Sequence, residues 1–407
     1  MAQARDIEEA RKVANRLTLK RLVSEVEADP AADLTSFLNL QLKKYPRFVH
    51  DFAQTLHTMS LGQGEKEETH DTQATQVTQD RQSPPRAVDS VMVSDGLPLE
   101  ILHPLSPFLL EVLFETKQGF AGEDSVQALP ENFVAAINRR LAEAERLHEL
   151  HSYLVLGLGP SAAVKASPLL DMDHLYNLQY VSSRVPDTPV PQCLGAFRNS
   201  PQTYLFLSRA PGMTLESVWP DLTTAHKLSV QQQLKVIFAR LRAEDFGAQG
   251  GEDPRRFGSF ETGVCKDTRR NQRVSETPIA TEAEFIEFHC RAPGRAVTAW
   301  ITMICESLRA DHRIVMTHSD LHPRNIMVSW EDGGDGGVKA AEDVRVTAIL
   351  DWEFAGWYPE YWEFVKALNT VTTRGPLRDW IEYLPTDAIG SYPVEYSLDC
   401  LLDRWLG

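Results

Sequence analysis

The pattern of apolar and polar positions predicts three helices in the first sixty residues. They cover about residues 7–17, 34–45 and 48–59, where apolar residues recur at helical spacing. Over residues 62–86 the composition changes to Gln, Thr, Glu, Asp and Ser, which cannot bury a core and favours a flexible chain. We therefore predict a helical N-terminal extension over residues 1–61 and a flexible polar linker over residues 62–98. The protein partner of the extension is unknown.

A second region, residues 99–210, combines helices with short strands. The predicted elements are a helix over residues 133–147, strands over residues 152–159 and 161–167, a helix over residues 173–183 and a strand over residues 203–210. Pro160 lies between the first two strands and predicts a hairpin. Residues 185–191 are rich in proline and predict an extended connector.

The remainder, residues 211–407, has the stronger helical pattern. Helices are predicted over residues 222–241, 282–290 and 297–308, and short strands alternate with polar loops over residues 313–330 and 344–357. Residues 331–343 are rich in glycine and acidic residues and predict a surface loop.

The composition is ordinary, but the charge disfavours some functions. The chain has 407 residues, of which 43% are hydrophobic and 24% are charged, as in a soluble globular protein. Its net charge of −16 disfavours nonspecific binding to nucleic acid or to an anionic membrane surface. No apolar run approaches the length of a membrane span, and the first residues lack a secretory signal. We therefore expect a cytoplasmic protein.

The five cysteines indicate neither a zinc site nor a disulfide framework. They are Cys193, Cys265, Cys290, Cys305 and Cys400, and no two of them are spaced as C-x-x-C. We therefore expect buried or half-buried free thiols in a reducing compartment.

The strongest candidate chemistry lies in two motifs, HSDLHPRN at residues 318–325 and ILDWE at residues 349–353. Phosphoryl transfer needs a carboxylate beside the acceptor hydroxyl, to orient the hydroxyl and take its proton, and Asp320 can supply this carboxylate. It also needs oxygen ligands that hold Mg²⁺ against the phosphates, and Asn325 and Asp351 can supply them. The two motifs together therefore indicate a phosphotransferase.

These motifs and the segment AGWYPEYWEFVKAL at residues 355–368 resemble the aminoglycoside phosphotransferase family, in particular its fungal branch. The resemblance covers roughly residues 150–407. It implies an α+β, two-lobed protein-kinase-like fold. The small β-rich N-lobe, with its preceding helices, would lie within residues 99–210, and the larger helical C-lobe would cover residues 211–407.

The resemblance also implies roles for the motif residues. Asp320 would be the catalytic base, and Asn325 and Asp351 would be the magnesium ligands. His318 would brace the loop through hydrogen bonds, and His322 would do the same. Neither histidine is expected to bind the metal, because Mg²⁺ prefers oxygen ligands.

A kinase-like fold also has a lysine on its third strand, whose ammonium contacts the nucleotide phosphates. Lys165 lies in the apolar strand SAAVKAS, where an ammonium without a partner would be costly to bury; a solvent-exposed lysine at a strand edge is the alternative. No glutamate follows on the next helix. Asp173 could pair with Lys165, and His174 occupies about the place of the glutamate. A kinase-like fold also has a glycine-rich loop, of the pattern G-x-G-x-x-G, that covers the phosphates. This chain has only a reduced form of that loop, GLGPS at residues 157–161.

The connector after the last N-lobe strand would carry the base of the nucleotide. By the resemblance, Ser208, Arg209 and Ala210 would present backbone amide and carbonyl groups to adenine. The side chains there need not be informative, because the contacts are made by the main chain.

Aromatic residues follow the metal-binding motif and are predicted to pack beneath the catalytic loop, with Glu363 hydrogen-bonded to that loop. Trp357 and Tyr358 are the better candidates for lining a substrate pocket, because they follow a glycine in a turn. Arg324 could pair with a nearby acid such as Glu353 or Glu363; a plain surface salt bridge, whose contribution would be small, is the alternative.

We predict a kinase that uses ATP and Mg²⁺ to phosphorylate a hydroxyl of a small molecule. The acidic chain is compatible with cationic acceptors such as amino sugars or choline-like compounds, but surface charge does not select among them. One alternative is a non-catalytic kinase-like nucleotide-binding module, which the reduced glycine loop and the missing helix glutamate favour slightly. A protein kinase is disfavoured, because the chain lacks an A-P-E-like segment.

Overall fold

The computed structural model describes most of the chain beyond residue 90. The described ranges are 91–115, 129–150, 153–244, 246, 256–267, 273–291, 298–330, 344–369, 371 and 374–406, together with residues 11, 15, 18, 22, 34, 38 and 45. The predicted N-terminal helices, apart from those few residues, lie outside the described residues. The predicted linker up to residue 90 and the predicted surface loop at residues 331–343 also lie outside them.

The chain divides into two compact units, Met1–Gln82 and Ser83–Gly407. In the first unit, the described residues Arg11, Asn15 and Tyr45 are helical, and the Tyr45 hydroxyl donates to Asn15 Oδ1 at 2.6 Å. The fold and the candidate site described below belong to the second unit.

A six-stranded antiparallel sheet forms the N-lobe, with the strand order β1-β5-β6-β4-β3-β2. The strands are β1 (Glu100–His103), β2 (Glu145–Leu150), β3 (Tyr153–Gly157), β4 (Ala162–Ser167), β5 (Cys193–Asn199) and β6 (Gln202–Ser208). Because side chains alternate along a strand, β4 presents Val164 and Ala166 to one face of the sheet and Lys165 to the other.

Helices cover both faces of this sheet. They are α1 (Pro107–Phe114), α2 (Phe133–Glu143) and α3 (Asp173–Arg184). Helices α1 and α2 bury their apolar residues against Val164 and Ala166, whereas Leu175 of α3 packs on Leu205 of β6. Helix α3 therefore lies on the same face as Lys165.

The predicted hairpin is confirmed, because β3 and β4 pair antiparallel in the register Leu156 with Val164. The predicted helix that extended to Leu147 is wrong at its end. It stops at Glu143, and Leu147 lies in β2, where pairing with β3 overrides the helical spacing. Strands β1 and β5 have no counterpart in the prediction.

The end of the predicted linker is ordered, contrary to the boundary drawn at residue 98. Val91 and Val93 are buried in the N-lobe core. The side chain of Asn199 accepts from the Ser94 amide at 2.8 Å and donates to the carbonyls of Ser94 and Leu97 at 3.2 Å. The N-lobe therefore begins by residue 91, because a few apolar residues in a polar segment suffice to anchor it.

The C-lobe combines helices with three small antiparallel sheets. Its helices are α4 (Leu215–Val218), α5 (Thr224–Leu241), α6 (Glu282–Cys290), α7 (Ala299–Glu306), α8 (Trp362–Leu368), α9 (Thr386–Ile389) and α10 (Pro393–Leu406). Its strands are β7 (Met213–Thr214), β8 (Lys266–Asp267), β9 (Arg273–Val274), β10 (Ile314–Thr317), β11 (Ile326–Trp330), β12 (Val344–Ile349) and β13 (Gly356–Pro359). In the part of the chain that the structure describes, no helix has the length and apolar composition needed to span a bilayer.

Two cysteines differ from the prediction of free thiols. Cys290 at the end of α6 and Cys305 in α7 form a disulfide, within a small apolar cluster that includes Leu402. The prediction is wrong for this pair because the two cysteines are 15 residues apart in sequence, and only the packing of α6 on α7 brings them together. Cys193 and Cys400 have free thiols, as does Cys265.

Candidate active site

A cavity of about 440 Å³ lies between the N-lobe sheet and the loops of the C-lobe. Tyr153 and Val155 of β3 and Lys165 of β4 form part of its upper wall, and Asn325 and Asp351 line it from below. The cavity therefore brings together the strand lysine and two of the motif residues that the sequence indicates.

Lys165 lies inside this cavity rather than in solvent, since only 6% of its side chain is exposed. Its Nζ is 2.8 Å from Asp351 Oδ1 and 3.1 Å from Glu353 Oε2, and it lies 4.5 Å from the centre of the Tyr153 ring. Burial alone would lower the pKa of Lys165, but Asp351 and Glu353 outweigh it and raise that pKa above its usual value. Lys165 is therefore a buried, protonated cation held by two carboxylates.

The candidate catalytic loop, residues 318–325, begins at His318, whose backbone and ring both form hydrogen bonds. Its amide donates to Glu363 Oε2 at 2.6 Å. Its Nε2 lies 2.8 Å from the Leu350 carbonyl, and its Nδ1 accepts from the Asp320 amide at 3.2 Å. Because a carbonyl can only accept and an amide can only donate, these partners place the ring proton on Nε2. His318 thereby ties the catalytic loop to the residue before Asp351.

Asp320 is buried at the end of this turn and is oriented from two sides. The Asn325 side-chain amide donates to Asp320 Oδ2 at 2.8 Å and to the Asp320 carbonyl at 3.0 Å. The preceding residue, Ser319, has φ of 64°, a conformation that favours glycine. The strained backbone at Ser319 thus turns Asp320 toward Asn325.

Arg324 does not contact Glu353 or Glu363, contrary to the predicted pairing. Its Nη2 lies 3.4 Å from Asp320 Oδ1, and its amide donates to His322 Nδ1 at 3.1 Å. The short 3₁₀ turn Pro323–Asn325 causes this difference, because it directs residue 324 back over the same loop. A half-exposed cation therefore lies beside the candidate base.

Asp351 follows β12 and has φ of 63°, so its backbone is also in the left-handed region. The Leu350 amide donates to the Asn325 carbonyl at 2.7 Å, which joins the two loops next to the candidate metal ligands. Burial would raise the pKa of Asp351, but the neighbouring Lys165 ammonium holds it below its usual value. An ionised carboxylate and an amide oxygen are ligands of the kind that Mg²⁺ prefers.

Helix α3 does not supply the partner of Lys165. Asp173 forms an ion pair with Lys266 instead, and its Oδ2 also accepts from the Thr262 hydroxyl at 3.0 Å. The suggested pairing of Asp173 with Lys165 is therefore wrong, because a second lysine from β8 lies nearer to it. His174 does point at the site, with Nδ1 3.6 Å from Asp351 Oδ1. Burial and the Lys165 charge lower the pKa of His174 to about 3, so its ring is neutral.

The connector after β6 lines the far end of the cavity, where Ser208, Arg209 and Ala210 all lie. The Ser208 amide donates to the Gln192 carbonyl at 2.8 Å, and the Arg209 amide donates to the Ser161 carbonyl at 3.0 Å. Two of the three amides are therefore engaged within the N-lobe. Among these three described residues, Ala210 is the one whose amide is left for a ligand.

The Arg209 side chain crosses the reduced glycine loop. Its guanidinium donates to the Gly159 carbonyl at 2.9 Å and to Glu145 Oε2 at 2.7 Å. A Cβ on Gly157 would come within 2.8 Å of this guanidinium, so the glycine makes room for the contact. The reduced loop is thus held by a side chain of the connector.

The aromatic residues after Asp351 pack in the core. Trp357 and Tyr358 are 2% and 1% exposed and lie in β13, where they contact other buried aromatic side chains. The suggestion that they line a substrate pocket is therefore wrong, since the two side chains point to opposite faces of β13 and each face is covered by a separate apolar cluster. Glu363 of α8 is buried beneath the catalytic loop and contacts the His318 amide.

Two residues at the site were given no such role from the sequence. Glu353 contacts Lys165, although it was considered only as a partner of Arg324. Asn177 of α3 is fully buried, and its amide donates to the carbonyls of Trp352 and Ala355 at 2.9 Å. Glu353 could have been recognised from the sequence, because the ILDWE motif has this second acid two residues after Asp351. Asn177 could not, because it belongs to no motif.

The two-lobed arrangement, the strand lysine and the paired loops define the class of kinase-like phosphotransferases. Residues 153–393, more than half of the chain, match the family model of the Phosphotransferase enzyme family, APH. The chain therefore belongs to this family, and the predicted α+β kinase-like fold is confirmed. None of the curated proteins compared with the chain matches it.

Several solved structures are similar to the chain at low identity. A thermostable mutant of the aminoglycoside phosphotransferase APH(4)-Ia, in a ternary complex with AMP-PNP and hygromycin B, is 16% identical over 64% of this chain and 83% of its own, with a TM-score of 0.40. A GDP and kanamycin complex of an APH(2'') enzyme is 14% identical over 65% and 82%, with a TM-score of 0.41. A type VIII aminoglycoside-3'-phosphotransferase is 13% identical over 64% and 93%, with a TM-score of 0.39.

Proposed function

We propose that the protein is a kinase that transfers a phosphoryl group from ATP, with Mg²⁺, to a hydroxyl of a small molecule, and that it acts in the cytoplasm. The observation that carries the proposal is the meeting of Lys165 and Asp351, 186 residues apart in sequence, at 2.8 Å in one cavity with Asn325. Phosphoryl transfer depends on positioning and charge neutralisation, and this cavity offers both.

The nucleotide would lie with its base against the connector and its phosphates near Lys165. The free amide of Ala210 and the neighbouring carbonyls can hydrogen-bond the edge of a purine, while the Lys165 ammonium attracts the phosphates. When bound between Asn325 and Asp351, Mg²⁺ would neutralise charge on the β- and γ-phosphates.

Asp320 would orient the acceptor hydroxyl and accept its proton. Asn325 donates to Asp320 Oδ2 at 2.8 Å and His318 Nδ1 accepts from the Asp320 amide at 3.2 Å, and these two contacts orient the carboxylate toward the acceptor hydroxyl. The Arg324 guanidinium lies beside Asp320 Oδ1. It would stabilise the negative charge that develops on the acceptor oxygen as that oxygen loses its proton.

A test combines binding and turnover. Wild-type protein should gain thermal stability with ATP and Mg²⁺, and it should release ADP when the correct hydroxyl compound is present in a screen of amino sugars and choline-like alcohols. Asp320→Asn should keep the stabilisation but lose about 100-fold or more of the ADP release. Asp351→Asn should lose the Mg²⁺-dependent part of the stabilisation. Asp387→Asn, which changes an exposed carboxylate on α9, is the matched control.

The outcomes separate the alternatives. Stabilisation by ATP without ADP release from any acceptor would favour a non-catalytic nucleotide-binding module. ADP release that survives Asp320→Asn would contradict the role of this carboxylate. Absence of stabilisation in the wild type would refute the nucleotide site itself.

A further inference from the structure

The acid that positions Lys165 does not come from the helix that packs over the cavity. Both acids at the start of α3 are engaged with Lys266, which lies 2.5 Å from Asp171 Oδ2 and also pairs with Asp173. His174, in the same turn, lines the cavity together with Lys165, and an imidazole carries no negative charge in either protonation state. Helix α3 therefore offers no negative charge to the strand lysine.

A buried ammonium needs a compensating charge, because taking it out of water without one is strongly unfavourable. Among the residues that the structure describes, Asp351 and Glu353 are the carboxylates within hydrogen-bond distance of Lys165 Nζ. Asp351 is also the candidate metal ligand, and a carboxylate that binds a divalent cation is weakened as the partner of a lysine. Glu353 is then the acid that can keep Lys165 in place while the metal is bound.

We propose that Glu353 is a positioning residue that holds Lys165 for the nucleotide phosphates, in place of an acid on the preceding helix. The proposal rests on the proposed function, because it assigns Glu353 to the same site. It places the anchor of the lysine on the loop that carries the metal ligand. A single loop thus sets both the metal position and the lysine position.

The backbone around Glu353 is built rigidly enough for this task. Glu353 lies in the 3₁₀ turn Trp352–Phe354, and the Asn177 amide of α3 donates to a carbonyl on each side of it. The Trp352 indole donates to the Ile349 carbonyl at 2.8 Å, which closes the turn from below. Helix α3 therefore contributes a brace for the turn through Asn177 instead of an acid.

The test removes the charge of Glu353 and then returns a charge from the other side. Glu353→Gln keeps the size of the side chain, and His174→Glu places a carboxylate on α3 beside Asp351 and Lys165. In wild type, Glu353→Gln and the double variant His174→Glu/Glu353→Gln, the Kd for ATP is measured with Mg²⁺ and with EDTA. Glu287→Gln is the matched control, since Glu287 is an exposed acid on α6 that does not line the cavity.

A second readout does not depend on turnover. Acetic anhydride acylates lysine amines, so the rate of Lys165 acetylation, followed by mass spectrometry in the absence of nucleotide, reports how firmly the Lys165 side chain is held inside the cavity by its carboxylate partners. We expect acetylation to be at least about tenfold faster in Glu353→Gln than in wild type, because the variant loses the charged partner that lies 3.1 Å from Lys165 Nζ. Slow acetylation should return in the double variant.

For ATP, we expect Glu353→Gln to weaken binding about tenfold in the presence of Mg²⁺, and we expect the double variant to recover most of this loss. An unchanged Kd and an unchanged acetylation rate in Glu353→Gln would overturn the proposal. A double variant as weak as Glu353→Gln would assign Glu353 to packing and would also overturn it. Failure of the proposed function would be seen separately, as an absence of ATP binding in the wild type.

Discussion

Asn177→Ala is the substitution that best tests how the fold supports the site. The Asn177 side chain is fully buried and makes four hydrogen bonds. Its amide donates to the Trp352 and Ala355 carbonyls at 2.9 Å, and its Oδ1 accepts from the Ser259 hydroxyl at 3.0 Å and from the Phe260 amide at 3.2 Å. One side chain thus joins α3, the turn that carries Glu353 and the segment before β8.

The magnitude follows from these partners. A neutral hydrogen bond contributes about 1 kcal/mol net, and a buried group left without a partner costs about 1–3 kcal/mol. Truncating Asn177 leaves four polar groups to be satisfied by water that must enter the new space. We therefore expect the free energy of unfolding to fall by about 3–5 kcal/mol, measured by urea denaturation. Because Asn177 braces the turn of Glu353, we also expect ATP binding to weaken about tenfold under conditions where the variant is folded.

Asn199→Ala provides the control, because Asn199 is equally a buried asparagine with one accepted and several donated hydrogen bonds. It lies at the end of β5 and joins the N-lobe sheet to residues 94–98, away from the cavity. It should lower the stability by a similar amount and leave the ATP affinity of the folded protein unchanged. A loss below about 1 kcal/mol in Asn177→Ala, or an equal loss of ATP affinity in Asn199→Ala, would refute the reasoning.

Three further predictions concern catalysis, pH and the backbone. Arg324→Gln should lower kcat about tenfold or more and change the Kd for ATP little, because Arg324 contacts Asp320 rather than the far end of the cavity; steady-state kinetics with a separate binding measurement would check this. Burial lowers the pKa of His289, against the opposing effect of Asp399. The unfolded chain therefore binds more protons than the folded protein once the pH falls below about 6.5. Below that pH, the free energy of unfolding should fall by up to about 1.4 kcal/mol for each unit by which the pH is lowered. The slope should be smaller in His289→Gln, and urea denaturation at a series of pH values measures both. Gly212→Ala should destabilise the protein by more than about 3 kcal/mol in the same assay, because Gly212 has φ of 96° and a Cβ there would overlap the Val328 carbonyl.

The parts of the fold and of the candidate site that could be predicted are those in which the residues concerned lie close together in sequence. Asp320 and Asn325 lie on one loop, so their spacing in sequence already places them together. The β3–β4 hairpin is similarly local, and it puts Lys165 on a strand whose other face is apolar. In each case the distance along the chain is short, and a pattern of residue types is enough to predict the contact.

The parts that escaped prediction are set by contacts between distant segments. The partner of Asp173 is Lys266, which comes from a two-residue strand without any pattern of its own. Strand β5 contains Gly195, at which a Cβ would come within 2.6 Å of Leu105. The glycine is therefore required by a close neighbour, and it interrupts the alternation of apolar and polar residues by which a strand is predicted. Trp357 has the composition of a pocket residue and becomes a core residue only because β13 pairs with β10. Tertiary packing decides such positions, and a single sequence does not contain it.

The disulfide between Cys290 and Cys305 leads to a last prediction. Closing a loop of 15 residues restricts the unfolded chain and stabilises the protein by about 3 kcal/mol in the chain-entropy description. A reductant such as dithiothreitol should therefore lower the thermal midpoint of the wild type, while Cys290→Ser/Cys305→Ser should melt at the lower temperature with or without reductant. Cys400→Ser, which changes an exposed free thiol, should behave as the wild type does. If the wild type melts at the same temperature under both conditions and its thiol count shows five free cysteines, the two residues are reduced in solution, and the packing of α6 on α7 does not depend on their bond.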